Sequence, residues 1–127
     1  MNTPRRPSGP LRLVILLVGL HSVVLGVAFL LAPVRLARLA GFPELRAAFF
    51  VSQSGIFLLV LGICYLLALR DRSLVVVILV SKTLAVLFLL THVVFLNGPP
   101  VLWLLAAGDA LMLSATVGVL RFDSGSA

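Results

Sequence analysis

The sequence predicts an all-α fold: a four-transmembrane-helix bundle with a short interfacial helix between the first and second spans. Three observations carry that expectation. The 127 residues are 61% hydrophobic, with a mean hydropathy of +1.24, whereas soluble domains are roughly 45–50% apolar. The apolar residues gather in four runs, Leu13–Leu31, Ala47–Leu69, Ser73–Leu96 and Val101–Leu120. Each holds about 20 residues, enough for a helix rising ~1.5 Å per residue to cross a ~30 Å hydrocarbon core. Of the charged residues, only Lys82 and Asp109 lie inside a run.

The stretch 1–10 (MNTPRRPSGP) is Pro-rich and polar and reads as a disordered tail. Arg5 and Arg6 before the first run resemble a signal peptide. That run is too long for a signal core and has no small-x-small cleavage site, so it reads as a retained helix. It carries Gly19, Ser22 and Gly26, a small-residue stripe that lets another backbone approach. In the connection that follows, Pro33 suits a helix first turn and places Arg35 and Arg38 on one face. Gly41 suits a C-terminal cap and Pro43 prevents continuation. This short helix is expected to lie in the outer interface with Leu36, Leu39 and Phe42 directed into the membrane.

The second span opens with Ser52-Gln53-Ser54-Gly55, and Arg70-Asp71-Arg72 makes a tight turn into the third. Val75-Val76-Val77-Ile78 would favour a strand in water. In lipid, every backbone group must be paired within the segment, so a helix is expected there too. Asn97-Gly98-Pro99-Pro100 reads as a short turn, and Trp103 falls at the depth of an aromatic belt. The fourth span carries a second stripe, Ala107, Ala110, Ser114 and Gly118. Residues 11–121 thus form one membrane domain, and 122–127 a frayed tail.

Charge sets the expected orientation. Arg5, Arg6, Arg12, Arg70, Arg72 and Arg121 share one side of the bundle, and Arg35, Arg38 and Arg46 the other. The positive-inside rule then places both termini in the cytoplasm. The net charge of +6 does not imply nucleic acid, because no basic patch is interleaved with aromatics on a soluble surface. The single Cys64 excludes an internal disulfide, a CxxC redox centre and a cysteine metal site.

The polar residues inside the spans are the candidate site: Lys82, Asp109, His21, Gln53 and His92. Measured from the cytoplasmic edge, His21 lies ~12 Å deep, Lys82 ~14 Å and Asp109 ~17 Å, while Gln53 is roughly 20 Å in. The short turn at Asn97 makes the third and fourth spans antiparallel neighbours, so Lys82 can reach Asp109. An unpaired charge at this depth costs about 2.5–3.5 kcal/mol, which favours pairing. A structural tie between the two is one reading. The other is a polar cavity for a ligand headgroup or a proton-linked site, with His21 as the titratable group.

No cofactor is expected. His21 and His92 differ in depth by ~15 Å, too far to share one haem, and no depth supplies enough ligands for a metal. His92 reads as an interface residue bonded to lipid or to Gln53, with a quinone headgroup as the alternative. No catalytic residue is assigned: Ser22, Ser52, Ser54, Ser81 and Ser114 read as packing serines that bond back to their own helices.

The segments Gly19–Gly41 (GLHSVVLGVAFLLAPVRLARLAG) and Ser54–Leu69 (SGIFLLVLGICYLLAL) resemble the DoxX-like small bacterial four-helix membrane proteins. The shared features are the LLAP exit, the LARLAG turn and the glycine-spaced second helix. The resemblance implies a membrane subunit, for some members in quinone-coupled sulfur oxidation, and assigns no role to Lys82, His92 or Asp109. Small multidrug exporters carry a Glu in the first helix, where this chain has His21 and no acid. The expectation is therefore an accessory or subunit protein, possible in a quinone-linked system, that contacts lipid and forms homo- or hetero-oligomers through its small-residue stripes. The alternative is a small transporter or lipophilic-ligand binder using His21, Lys82 and Asp109.

Overall fold

The computed structural model describes residues 6–42 and 47–125. Five α-helices follow one another: α1 (Gly9–Leu31), α2 (Pro33–Leu39), α3 (Ala47–Leu67), α4 (Val75–Phe95) and α5 (Val101–Gly125), with a 3-10 turn at Arg72–Leu74 leading into α4. All except α2 are long and apolar enough to cross a bilayer. The chain is a multi-pass membrane protein in contact with lipid. Arg5, Pro43, Glu44 and Arg46 lie outside the described residues, so the expected helix stop at Pro43 does too.

The helix ends follow local chemistry. α1 starts inside the stretch expected to be disordered: Ser8 caps it by accepting from Leu11 N–H, and Pro10 sits in the first turn where no N–H is needed. α2 ends at a left-handed Gly41, φ 83°. Gly41 N–H donates to Arg38 O at 3.0 Å and Phe42 N–H to Ala37 O at 2.8 Å, so both orphan carbonyls of the last turn are satisfied. Asp71 caps the entry to α4, its carboxylate accepting from Ser73 N–H at 2.9 Å. At the far end of α4, Asn97 adopts φ 50° and turns the chain so that Gly98 N–H donates to His92 O. α5 stays helical through Gly125, beyond the point where the composition suggests fraying.

The helices assemble as two hairpin pairs. α1 packs along α3, α4 along α5, and α1 joins the pairs through α5. The α1–α3 seam is the tightest. A Cβ placed on Gly26 would stand 2.8 Å from Gly55 O, and one on Gly62 would stand 2.7 Å from Val23 Cγ2. Glycine on both helices is what lets the backbones meet, as the stripe in the first span implies.

The buried apolar cluster is Leu11, Ile15, Val18, Tyr65, Ala68, Val75 and Ile78. It lies in the half of the bundle that carries the start of α1, the α3–α4 turn and the end of α5. Towards the other end, Phe49, Phe50, Phe57, Phe88, Phe95, Trp103 and Leu104 are exposed, which in a bilayer means contact with acyl chains. α2 leans on the bundle through its buried Ala37. Leu39 and Phe42 are exposed and Leu36 is half-buried.

Candidate functional site

Val75, Ile78 and Lys82 share the buried face of α4, spaced by three and four residues. Lys82 is therefore carried into the interior by the same periodicity that buries its apolar neighbours. On α5, Ala106 and Thr116 are buried, and Asp109 falls on the same face at the same spacing. The antiparallel α4–α5 hairpin brings the two charges together: Lys82 Nζ donates to Asp109 Oδ1 at 2.6 Å. The two side chains are 6% and 17% exposed. Burial strengthens the attraction because little water screens it.

The sequence-derived candidates divide into two groups. Lys82 and Asp109 are brought together as an ion pair. His21 itself is exposed on α1. Gln53 and His92 stand apart. Gln53 is exposed, and among the described residues the hydrogen bond considered between it and His92 is not made. The His92 ring is instead bound to its own helix, with Nδ1 2.8 Å from Phe88 O and its plane over the Phe88 ring at 4.0 Å.

The serines also divide. Ser54 donates to Phe50 O and Ser81 to Val77 O, as packing serines do. Ser22 departs from that expectation: it is 1% exposed, and among the described residues its Oγ has no hydrogen-bond partner. The glycine seam with α3 presses this face of α1 against its neighbours and shuts water out. Unpartnered hydroxyls are rare in such places.

Tyr65 is the contributor that sequence reasoning missed. It is fully buried in α3, and its hydroxyl pairs with Ser81 Oγ. Ser81 precedes Lys82, so Tyr65 links α3 to the segment of α4 that carries the charged residue. One signal was available: Tyr65 is the sole tyrosine, set in an apolar run where its hydroxyl requires a partner.

Chemically, the arrangement is a closed Lys82–Asp109 ion pair whose charges satisfy each other. Among the described residues, no three His, Cys, Asp or Glu side chains gather to hold a metal. No family model matches the chain, and comparison with curated proteins and with solved structures finds no match. The resemblance noted for Gly19–Gly41 and Ser54–Leu69 thus rests on those residues alone.

Proposed function

We propose that this chain is an integral membrane accessory or subunit protein whose Lys82–Asp109 pair fixes helix packing and whose α5 surface receives a partner helix. One observation carries the reading. Gly19, Ser22 and Gly26 of α1 and Gly55 and Gly62 of α3 are consumed inside the chain, but the small residues of α5 are not: Gly108 and Gly118 meet nothing where a side chain would stand, and Ala107 and Ser114 are exposed. Helices associate in lipid by close packing of small residues, so an open small-residue face suits a neighbouring transmembrane helix. The closed ion pair agrees with this reading, because its charges satisfy each other. A quinone-linked complex in a bacterial inner membrane, with both termini cytoplasmic, is the specific setting we infer from the family resemblance and the arginine bias.

Gentle detergent extraction followed by native mass spectrometry tests the reading. The expected result is a stable homo- or heteromeric complex that Ser114→Leu with Gly118→Leu dissociates. A lone monomer from the parent chain would refute it.

A second reading is favoured by Ser22 and His21. An unsatisfied buried hydroxyl beside an exposed imidazole in a membrane span suits a small transporter or a binder of lipophilic ligands. It requires proton or substrate flux in proteoliposomes that disappears with His21→Leu.

A further inference from the structure

The charges at the terminus-bearing end of the bundle are unevenly distributed. Two carboxylates lie there among the described residues, and both are committed on the α4–α5 side. Asp71 caps the entry to α4, and Asp123 faces Arg72 at 3.8 Å. The α1–α3 side has arginines only. Arg6, Arg12 and Arg70 line one open cleft of about 640 Å³, floored by Leu66 and Leu69. All three arginines are exposed, and among the described residues none of their guanidinium groups forms an ion pair or hydrogen bond. A topology signal needs only a count of arginines near the span ends. Convergence of three on one cleft is a separate fact.

The surroundings of the cleft define what fits it. α1 begins here with no acidic residue in its first turn, so the positive end of its dipole adds to the guanidinium groups. Guanidinium forks match phosphate oxygens in shape as well as charge. Just below, the seam is closed: a Cβ on Gly19 would stand 2.7 Å from Leu66 Cδ2, so a ligand is held at the mouth and does not pass between the helices. The volume lies within the roughly 300–1,000 Å³ of small-ligand sites. A free phosphate would use the arginines and leave Leu66 and Leu69 idle. An amphiphile uses both.

We propose that this cleft binds the phosphate headgroup of an anionic phospholipid, with Arg6, Arg12 and Arg70 around the phosphate and an acyl chain leaving over Leu66 and Leu69. Basic pockets between transmembrane helices are suited to such headgroups. The site stands independently of the subunit and transport readings, since it uses none of their residues.

The test uses the full chain, delipidated in a neutral detergent and titrated with phosphatidylglycerol or phosphatidylcholine of identical acyl chains, with retained lipid read by native mass spectrometry. Phosphatidylglycerol should bind more tightly. Each of Arg6→Gln, Arg12→Gln and Arg70→Gln should weaken it about fivefold, and the triple variant about a hundredfold. Arg35→Gln with Arg38→Gln, which removes two charges from the opposite end, should leave the preference intact. Equal retention of the two lipids would overturn the proposal, as would an equal loss in the Arg35/Arg38 variant. Displacement of the lipid by inorganic phosphate at comparable concentration would also overturn it, by assigning the cleft to a free anion. Helical circular dichroism identifies folded variants, and if the triple variant unfolds, the three singles decide.

Discussion

Replacing Lys82 and Asp109 singly and together separates a structural tie from two independent charges. Their side chains are 6% and 17% exposed and meet at 2.6 Å, so Asp109→Leu strands a buried ammonium and Lys82→Met strands a largely buried carboxylate. Removing one partner of a buried pair leaves the other charge uncompensated, which costs about 3–5 kcal/mol, and an unpaired charge at mid-bilayer costs at least about 2.5 kcal/mol. Each single variant should therefore lose about 2.5–5 kcal/mol, with Lys82→Met the milder because Asp109 retains more exposure. The double variant Lys82→Met with Asp109→Leu removes both charges and should lie within about 1 kcal/mol of the parent, since apolar replacement of a buried pair is often neutral or stabilising. Reversible unfolding in mixed micelles, followed by the fluorescence of the single Trp103, measures all four corners of the cycle. Additive losses in the double variant would refute the idea that the two residues act as a unit.

Two further predictions test the rest of the frame. At the α1–α3 seam, Gly26→Ala would put a methyl 2.8 Å from Gly55 O and 2.9 Å from Leu59 N, and backbone cannot move aside as a side chain can. It should cost about 1–3 kcal/mol, whereas Gly118→Ala, which meets open space within the chain, should be neutral or gain up to about 1 kcal/mol in the protein dissociated from its partner. The same unfolding measurement compares them, and equal effects would contradict the seam. At the entry to α4, Asp71→Ala removes the acceptor for Ser73 N–H and should cost about 0.5–2 kcal/mol, while Asp71→Asn should recover most of that loss.

Some features were legible in the sequence because a single residue or a short spacing determines them. Gly41 as a left-handed cap is one: few residues other than glycine sit easily at φ 83°, and the apolar periodicity ends just before it. The Lys82–Asp109 contact is another. Lipid penalises a lone charge, and the short turn at Asn97 leaves the two charges on adjacent antiparallel helices at similar depth. The His92–Gln53 contact failed for a local reason. An imidazole one turn from a carbonyl of its own helix can bond to it, and depth arithmetic does not register that competition. The start of α1 was placed too late because Ser8 and Pro10 read as tail composition, although they are also cap and first-turn residues.

The sequence by itself determined the class of this protein: four spans, the glycines that let α1 meet another helix, and two charges in need of each other. Each follows from the cost of exposing polar groups to hydrocarbon, and that cost depends on residue type and run length alone. The tertiary structure decided which faces meet. It set the burial of Tyr65 against Ser81, left Ser22 without a partner among the described residues, spent the α1 stripe inside the chain while leaving that of α5 open, and gathered Arg6, Arg12 and Arg70 around one cleft. Those outcomes depend on the rotation of each helix about its own axis. In lipid that rotation is set by packing against neighbours, because the membrane presents the same apolar solvent on every side and leaves little amphipathic pattern to read.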